Sequence, residues 1–398
     1  MVIDFEHHYI PVELARRMGI DTKTKTIVEE GGVAKANVHS QLFNLDAQIQ
    51  DMDRAGIDVA VQSCILEWDT TLENCRLLND CAAKIQKEYR DRFVGLAHIA
   101  PLEGEPALSE LQRAVNELEL KGVTISSQIN GLSLDAEEFR RFYETVQKLQ
   151  VPIFVHPALA PRGYDLLKDY QLSVILTREF DLGVAVPRLI AGGVLERYPE
   201  LQFVFAHFGG GLTGYKERIA RSSYRFKLPK PFGDYFDRLY FDMAGFEGSP
   251  IALRCAMEAI RPERMVFATD YPQNFNNDDP AIGKNADGIR EYIDEIKNLP
   301  LDAKLKTICS VARRRVYSRS RRKFDLVDGI NRRFSQYAQN QRGNEGRSAR
   351  GRSQDFRRAR KAVRVDLEYG ESLRFEAHDS KRRSGSSTRD SGVGAYQR

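Results

Sequence analysis

The sequence predicts a (β/α)8 TIM barrel with long loops after the first and fifth strands, followed by a basic tail. Three observations predict it. Eight short apolar runs alternate with eight amphipathic stretches over residues 1–326, the arithmetic of such a barrel. No G-x-G-x-x-G follows the first run, so the rival doubly wound sheet lacks its phosphate signature. The periodicity then fades after Lys323.

The runs lie at 2–5, 59–62, 93–97, 122–125, 152–155, 202–206, 239–242 and 265–269. They are rich in Val, Ile and Phe and do not alternate cleanly with polar residues, as strands covered on both faces require. Helical spacing marks 45–55, 72–89, 107–120, 136–149, 186–197, 214–225, 251–260 and 289–296. Two connections, 10–44 and 157–180, are too long for turns. Both leave C-terminal strand ends, where a barrel builds its active site, and both read as lids.

The barrel is expected to span 1–326 and the tail 327–398. From Gly329 onward there are 17 Lys and Arg against 8 Asp and Glu. The chain's formal net charge of +4 therefore belongs to the tail, and the body is mildly acidic. Segments 342–364 and 384–396 are Arg, Ser, Gly and Gln-rich, a composition that cannot bury a core, so the tail is expected to be disordered. It has no tandem RGG repeats and no interleaved aromatics, so a solvated tail is expected rather than a nucleic-acid patch.

Composition excludes further classes. The chain is 42% hydrophobic and 29% charged, which is ordinary for a globular protein. No apolar run approaches the ~18–20 residues of a membrane helix. The opening MVIDFEHHYIP has neither the basic nor the apolar region of a secretory leader. Five cysteines (Cys64, Cys75, Cys81, Cys255, Cys309) form no C-x-x-C, so neither a disulfide framework nor a cysteine-ligated zinc is expected. The expectation is a reduced, cytoplasmic protein.

There are seven histidines. His8, His156 and His207 fall at or just after the first, fifth and sixth strands, and Asp270 closes the eighth. Glu6 precedes His8 by two. In an extended segment such residues share a side, so Glu6 and His8 face the barrel mouth while His7 points away. Mixed carboxylate and imidazole ligands suit Zn²⁺, Mn²⁺ or Fe²⁺. A coordination position left open makes such a site catalytic. A single histidine near a strand end is more often packed in the core, and that reading is kept for His7 and His98. His8, His156, His207 and Asp270 at four strand ends weigh towards a metal site, whose ligands are expected to be Glu6, His8, His156 and Asp270, with zinc the first expectation and manganese the second. In a second reading Glu6 orients His8 instead of binding metal.

The motifs DFEHH at 4–8, VPIFVHP at 151–157, FAHFGGG at 205–211 and FATDYP at 267–272 resemble the amidohydrolase-2 group of metal-dependent TIM barrels. That group includes aminocarboxymuconate-semialdehyde and gamma-resorcylate decarboxylases. The likeness covers about residues 1–320, and the helical DMDRAGID at 51–58 shares it. Hydrolases of the superfamily present H-x-H on the first strand, whereas Glu6 and His8 are similar to the E-x-H of the aromatic-acid decarboxylases. The resemblance implies metal-binding His156, a catalytic His207 near the metal, and Asp270 as both ligand and proton handler. Two departures stand out. Gly210 occupies the position where resorcylate-type enzymes carry Glu, which brings the chain closer to the semialdehyde branch. Arg313, Arg314 and Arg315 replace neutral residues in the closing helix.

The implied function is metal-dependent decarboxylation of a small unsaturated or aromatic carboxylic acid. A divalent ion acts there as Lewis acid, Asp270 donates the proton, and His207 is its partner. The same site could hydrolyse a lactone or amide, and a barrel could also serve as a non-catalytic binding protein. A substrate carboxylate calls for a cation, for which Arg54, Arg162 and Arg178 are the candidates. Trp68 at the mouth is a stacking candidate. Gly209, Gly210 and Gly211 are expected to let backbone approach the site. The expected partner is the small acid, with no membrane or nucleic acid, and a homodimer is the candidate assembly.

Overall fold

A computed structural model describes residues 2–30, 33–66, 71–167, 169–245, 250–273 and 285–298. Trp68, Cys309, Arg313–Arg315 and the tail from 327 lie outside them.

Eight parallel strands follow one another around a barrel. They are β1 (Ile3–His8), β2 (Val59–Ser63), β3 (Phe93–Gly95, resumed at Ala97–His98), β4 (Val123–Ser126), β5 (Ile153–His156), β6 (Phe203–Phe205), β7 (Tyr240–Asp242) and β8 (Met265–Val266). β1 pairs β2, β2 pairs the first part of β3, and the ladder from the second part of β3 runs on to β8. Closure between β8 and β1 is made by Phe5 N–H to Phe267 O (2.9 Å) and His8 N–H to Tyr271 O (2.8 Å). Helices α1 (Leu45–Ala55), α2 (Leu72–Glu88), α3 (Glu105–Asn116), α4 (Arg140–Leu149), α5 (Arg178–Ala191), α6 (Lys216–Ser222), α7 (Pro250–Ala259) and α8 (Asn285–Asn298) follow the strands in turn. The fold is the expected (β/α)8 barrel.

Side-chain alternation explains the packing. Ile153 and Val155 of β5 join the outer core with Leu182, Val186 and Leu189 of α5. Phe154 turns inward and fills the lumen with Phe5, Val61, Val204, Tyr240 and Val266. Each such residue contributes about 1.5–3 kcal/mol by leaving water. β1 breaks the alternation with a register shift between Asp4 and His7, so that Asp4 pairs Ala60 but His7 pairs Gln62. Phe5 and Glu6 share the space of one partner residue, a β-bulge that re-aims the side chains beyond it. Phe5 fills the lumen, yet Glu6 and His8 still reach the mouth. His7 stacks outside on Tyr271 at 4.8 Å and meets Gln48 of α1 at 3.3 Å, as its expected outward direction requires.

Several boundaries differ from expectation. The eighth strand ends at Val266 rather than 269, because Asp4 takes over there: its Oδ1 accepts the Thr269 amide at 3.0 Å. The fifth helix begins at Arg178, eight residues earlier than expected. It runs through Pro187, which leaves the Gly183 carbonyl without its helical donor, and breaks at Gly193, whose φ is +75°. The two long connections carry structure. The first holds a helix at Val12–Arg17 and an antiparallel hairpin of Thr26–Glu30 with Val33–Val38. The second holds short helical turns up to Thr177. They meet where Ser173 Oγ donates to Ala34 O at 3.0 Å and Arg178 Nη2 to Lys35 O at 3.2 Å. Among the described residues no helix is long and apolar enough to cross a membrane.

Candidate metal centre

Four residues converge at the C-terminal mouth of the barrel. Glu6, His8, His156 and Asp270 are all buried, and one ligand atom from each lies within 4.8 Å of the others. β1 supplies Glu6 and His8, β5 ends on His156, and Asp270 follows β8. His8 Nε2 stands 2.8 Å from Asp270 Oδ1 and His156 Nε2 3.3 Å from Glu6 Oε1. The far nitrogens are held: His8 Nδ1 meets Ser63 Oγ at 3.2 Å, and His156 Nδ1 donates to Pro157 O at 2.8 Å. Anchoring one imidazole nitrogen fixes the ring so that the other faces the centre.

His207 flanks the cluster. Its Nε2 lies 3.5 Å from Glu6 Oε2 and 3.9 Å from Asp270 Oδ2. Its Nδ1 lies 2.8 Å from Glu179 Oε1. Five successive residues from His207 to Gly211 take positive φ, and Asp270 does so too. That conformation is costly for residues with side chains, so tertiary contacts must impose it. Asp242 imposes part of it by accepting the His207 amide at 2.9 Å and that of Ala244 at 3.1 Å.

Electrostatics separate the titratable groups. Burial and the neighbouring rings of His8 and His207 hold His156 well below the ordinary histidine value, favouring the neutral, metal-ready form. Burial alone would also lower His207, but the carboxylates of Glu179 and Glu6 outweigh it and hold the imidazole well above that value. Burial and the charge of Glu6 push Asp242 well above the usual carboxylate range. So many carboxylates in one dry mouth call for a cation.

A model of the amidohydrolase family matches residues 3–310. The chain belongs to that family. It is 26% identical over 276 residues to the 2-amino-3-carboxymuconate-6-semialdehyde decarboxylase of Dictyostelium discoideum, covering 65% of this chain and 75% of that one. It is 28% identical over 298 residues to the gamma-resorcylate decarboxylase of a Rhizobium species, covering 69% and 88%. A solved 5-carboxyvanillate decarboxylase from Novosphingobium aromaticivorans, complexed with manganese, superposes with a TM-score of 0.62 at 23% identity, covering 78% of this chain and 93% of that one.

The donors fit a divalent ion on their own chemistry: two imidazole nitrogens and two carboxylates, buried and mutually adjacent. This is a buried site able to hold a divalent metal. Other expected residues lie elsewhere. His98 is a core residue whose Nε2 accepts the Cys64 amide at 3.0 Å. Arg54 of α1 is exposed and pairs with the buried Asp51. Arg162 is exposed and donates to Asn130 O at 3.2 Å. Arg178 differs, since its Nε is buried without a hydrogen-bond partner among the described residues and its charge interacts with Glu179 and Asp270. Sequence reading missed Asp4, Asp242 and Glu179. Of these, Asp242 carried a signal, an acidic residue ending a strand as Asp270 was expected to.

Proposed function

We propose that this chain is a metal-dependent decarboxylase, a carbon–carbon lyase acting on a small aromatic or unsaturated carboxylic acid. The observation that carries it is the buried Glu6–His8–His156–Asp270 cluster flanked by His207, in a chain whose named relatives are decarboxylases. Glu6, His8, His156 and Asp270 would hold the ion, zinc first and manganese second. Bound there, a divalent ion supplies Lewis acidity towards the substrate carboxylate or a neighbouring oxygen.

The protein's own groups do the rest. Arg178 pairs with the substrate's negative charge through a guanidinium fork suited to carboxylates. Burial of the mouth keeps water from competing for that charge. Asp270 gives the carbon a proton as CO₂ leaves, a proton that His207, kept charged by Glu179 and Glu6, relays to it from Nε2 across 3.9 Å; in the other role His207 orients the substrate.

The test uses purified full-length protein, gamma-resorcylate, 5-carboxyvanillate and 2-amino-3-carboxymuconate-6-semialdehyde. CO₂ release and metal content are measured on the same sample. Release from at least one acid, with about one metal per chain, supports the reading. Hydrolysis of a lactone or amide with no CO₂ from any acid would replace it by the hydrolase. Metal-free protein inert towards all of them would leave a binding protein.

A further inference from the structure

The first turn of α5 lies directly on the left-handed turn that carries His207. The contact is backbone on backbone. A Cβ at Gly210 would collide with the Glu179 carbonyl oxygen and stand 2.8 Å from the Gly183 nitrogen. One at Gly183 would touch the carbonyl oxygens of Gly209 and Gly210 at 3.6 Å. Only a residue without a side chain at 210 lets the helix come so close, and that approach brings Glu179 Oε1 to 2.8 Å from His207 Nδ1. On its other side the His207 ring is confined by Gly245, where a Cβ would stand 2.6 Å from it.

A carboxylate accepts hydrogen bonds and has none to give, so the nitrogen facing it carries the hydrogen. With the hydrogen on Nδ1, Nε2 is the atom turned towards Glu6 and Asp270, at 3.5 and 3.9 Å. We infer that Glu179 is the positioning residue for His207, holding a hydrogen on Nδ1 whether the ring is charged or neutral, so that Nε2 is the nitrogen that gains or loses a proton and is aimed at the reacting centre. The carboxylate comes from a helix 28 residues upstream of the histidine it serves, and the glycine at 210 makes room for it. The start of α5 is in turn tied to the hairpin after β1 by the bonds of Ser173 and Arg178 to Ala34 and Lys35. The two lids thereby set where Glu179 stands.

The kinetic part rests on the decarboxylase reading, and the tautomer does not. The test compares full-length wild type, Glu179→Ala and Glu179→Gln, labelled with ¹⁵N-histidine. His207→Asn assigns the signal by its loss. Wild type and Glu179→Gln should show His207 with hydrogen on Nδ1, because a glutamine oxygen still accepts it. Glu179→Ala should lose that preference. On whichever of the three acids releases CO₂, Glu179→Ala should lose about 10²-fold in kcat with KM within about three-fold. Metal content should not change, and Glu179→Gln should recover part of the loss. An unchanged tautomer in Glu179→Ala overturns the inference. So does an unchanged kcat beside a changed tautomer, since the bond would then only support the fold. If wild type releases CO₂ from none of the acids, the decarboxylase reading fails by itself, and the tautomer comparison still decides the placement of the hydrogen.

Discussion

Asp4→Ala tests how the barrel closes. The Asp4 carboxylate is fully buried and accepts four hydrogen bonds. They come from the Thr269 amide at 3.0 Å, the Thr269 hydroxyl at 2.6 Å, the Glu6 amide at 3.3 Å and His7 Nδ1 at 3.1 Å. Alanine removes every acceptor. The hydroxyl can rotate and the imidazole can move its hydrogen, but the two amides cannot escape. A buried donor left without a partner costs about 1–3 kcal/mol, so two give roughly 2–6 kcal/mol, and partial relaxation brings the expectation to about 3–5 kcal/mol. Asparagine keeps one oxygen for the amides and should cost about 1–2 kcal/mol. Urea unfolding compared between the variants measures both values. Because Asp270 directly follows Thr269, metal content should fall in Asp4→Ala as well. A loss below about 1 kcal/mol in the alanine variant would show that β8 is held to β1 without this carboxylate, and the reasoning would fail.

The flanking residues make separable predictions. His207→Asn should keep its metal and lose ~10²–10⁴-fold in kcat with a smaller change in KM; loss of metal would make His207 a ligand and Glu6 its neighbour's support. Arg178→Met should raise KM roughly ten- to hundred-fold, the worth of a charge-assisted bond of about 1.5–3 kcal/mol, with kcat much less affected. A KM unchanged in that variant would remove Arg178 from the substrate.

The sequence made the barrel legible because buried parallel strands read as unbroken Val, Ile and Phe runs. The mouth was legible because chemistry-bearing residues ended those runs. Parity placed Glu6 and His8 together, and the outcome held only because the bulge at Phe5 and Glu6 corrected a conflict that parity could not see: Phe5 also faces the lumen. Asp4 was invisible because its partner Thr269 is 265 residues away. Glu179 was hidden for a local reason. The expected helix began at 186 and the long connection ran to 180, which left Glu179 in a lid, whereas tertiary packing carries α5 from Arg178 through Gly183 and Pro187. The hairpin after β1 had a signal in the sequence, the Gly31-Gly32 pair between runs that contain β-branched residues.

The central claim is that four residues hold a divalent ion on which decarboxylation depends. The direct measurement is metal per chain together with CO₂ release from the same three acids, on wild type and on His8→Ala, with folding checked by circular dichroism. His8 is buried and its Nε2 lies 2.8 Å from Asp270, so its loss opens the ligand set at its tightest point. The account predicts about one metal per wild-type chain, and a folded His8→Ala barrel that has lost metal and CO₂ release together. A folded His8→Ala chain with full metal and full turnover would contradict it.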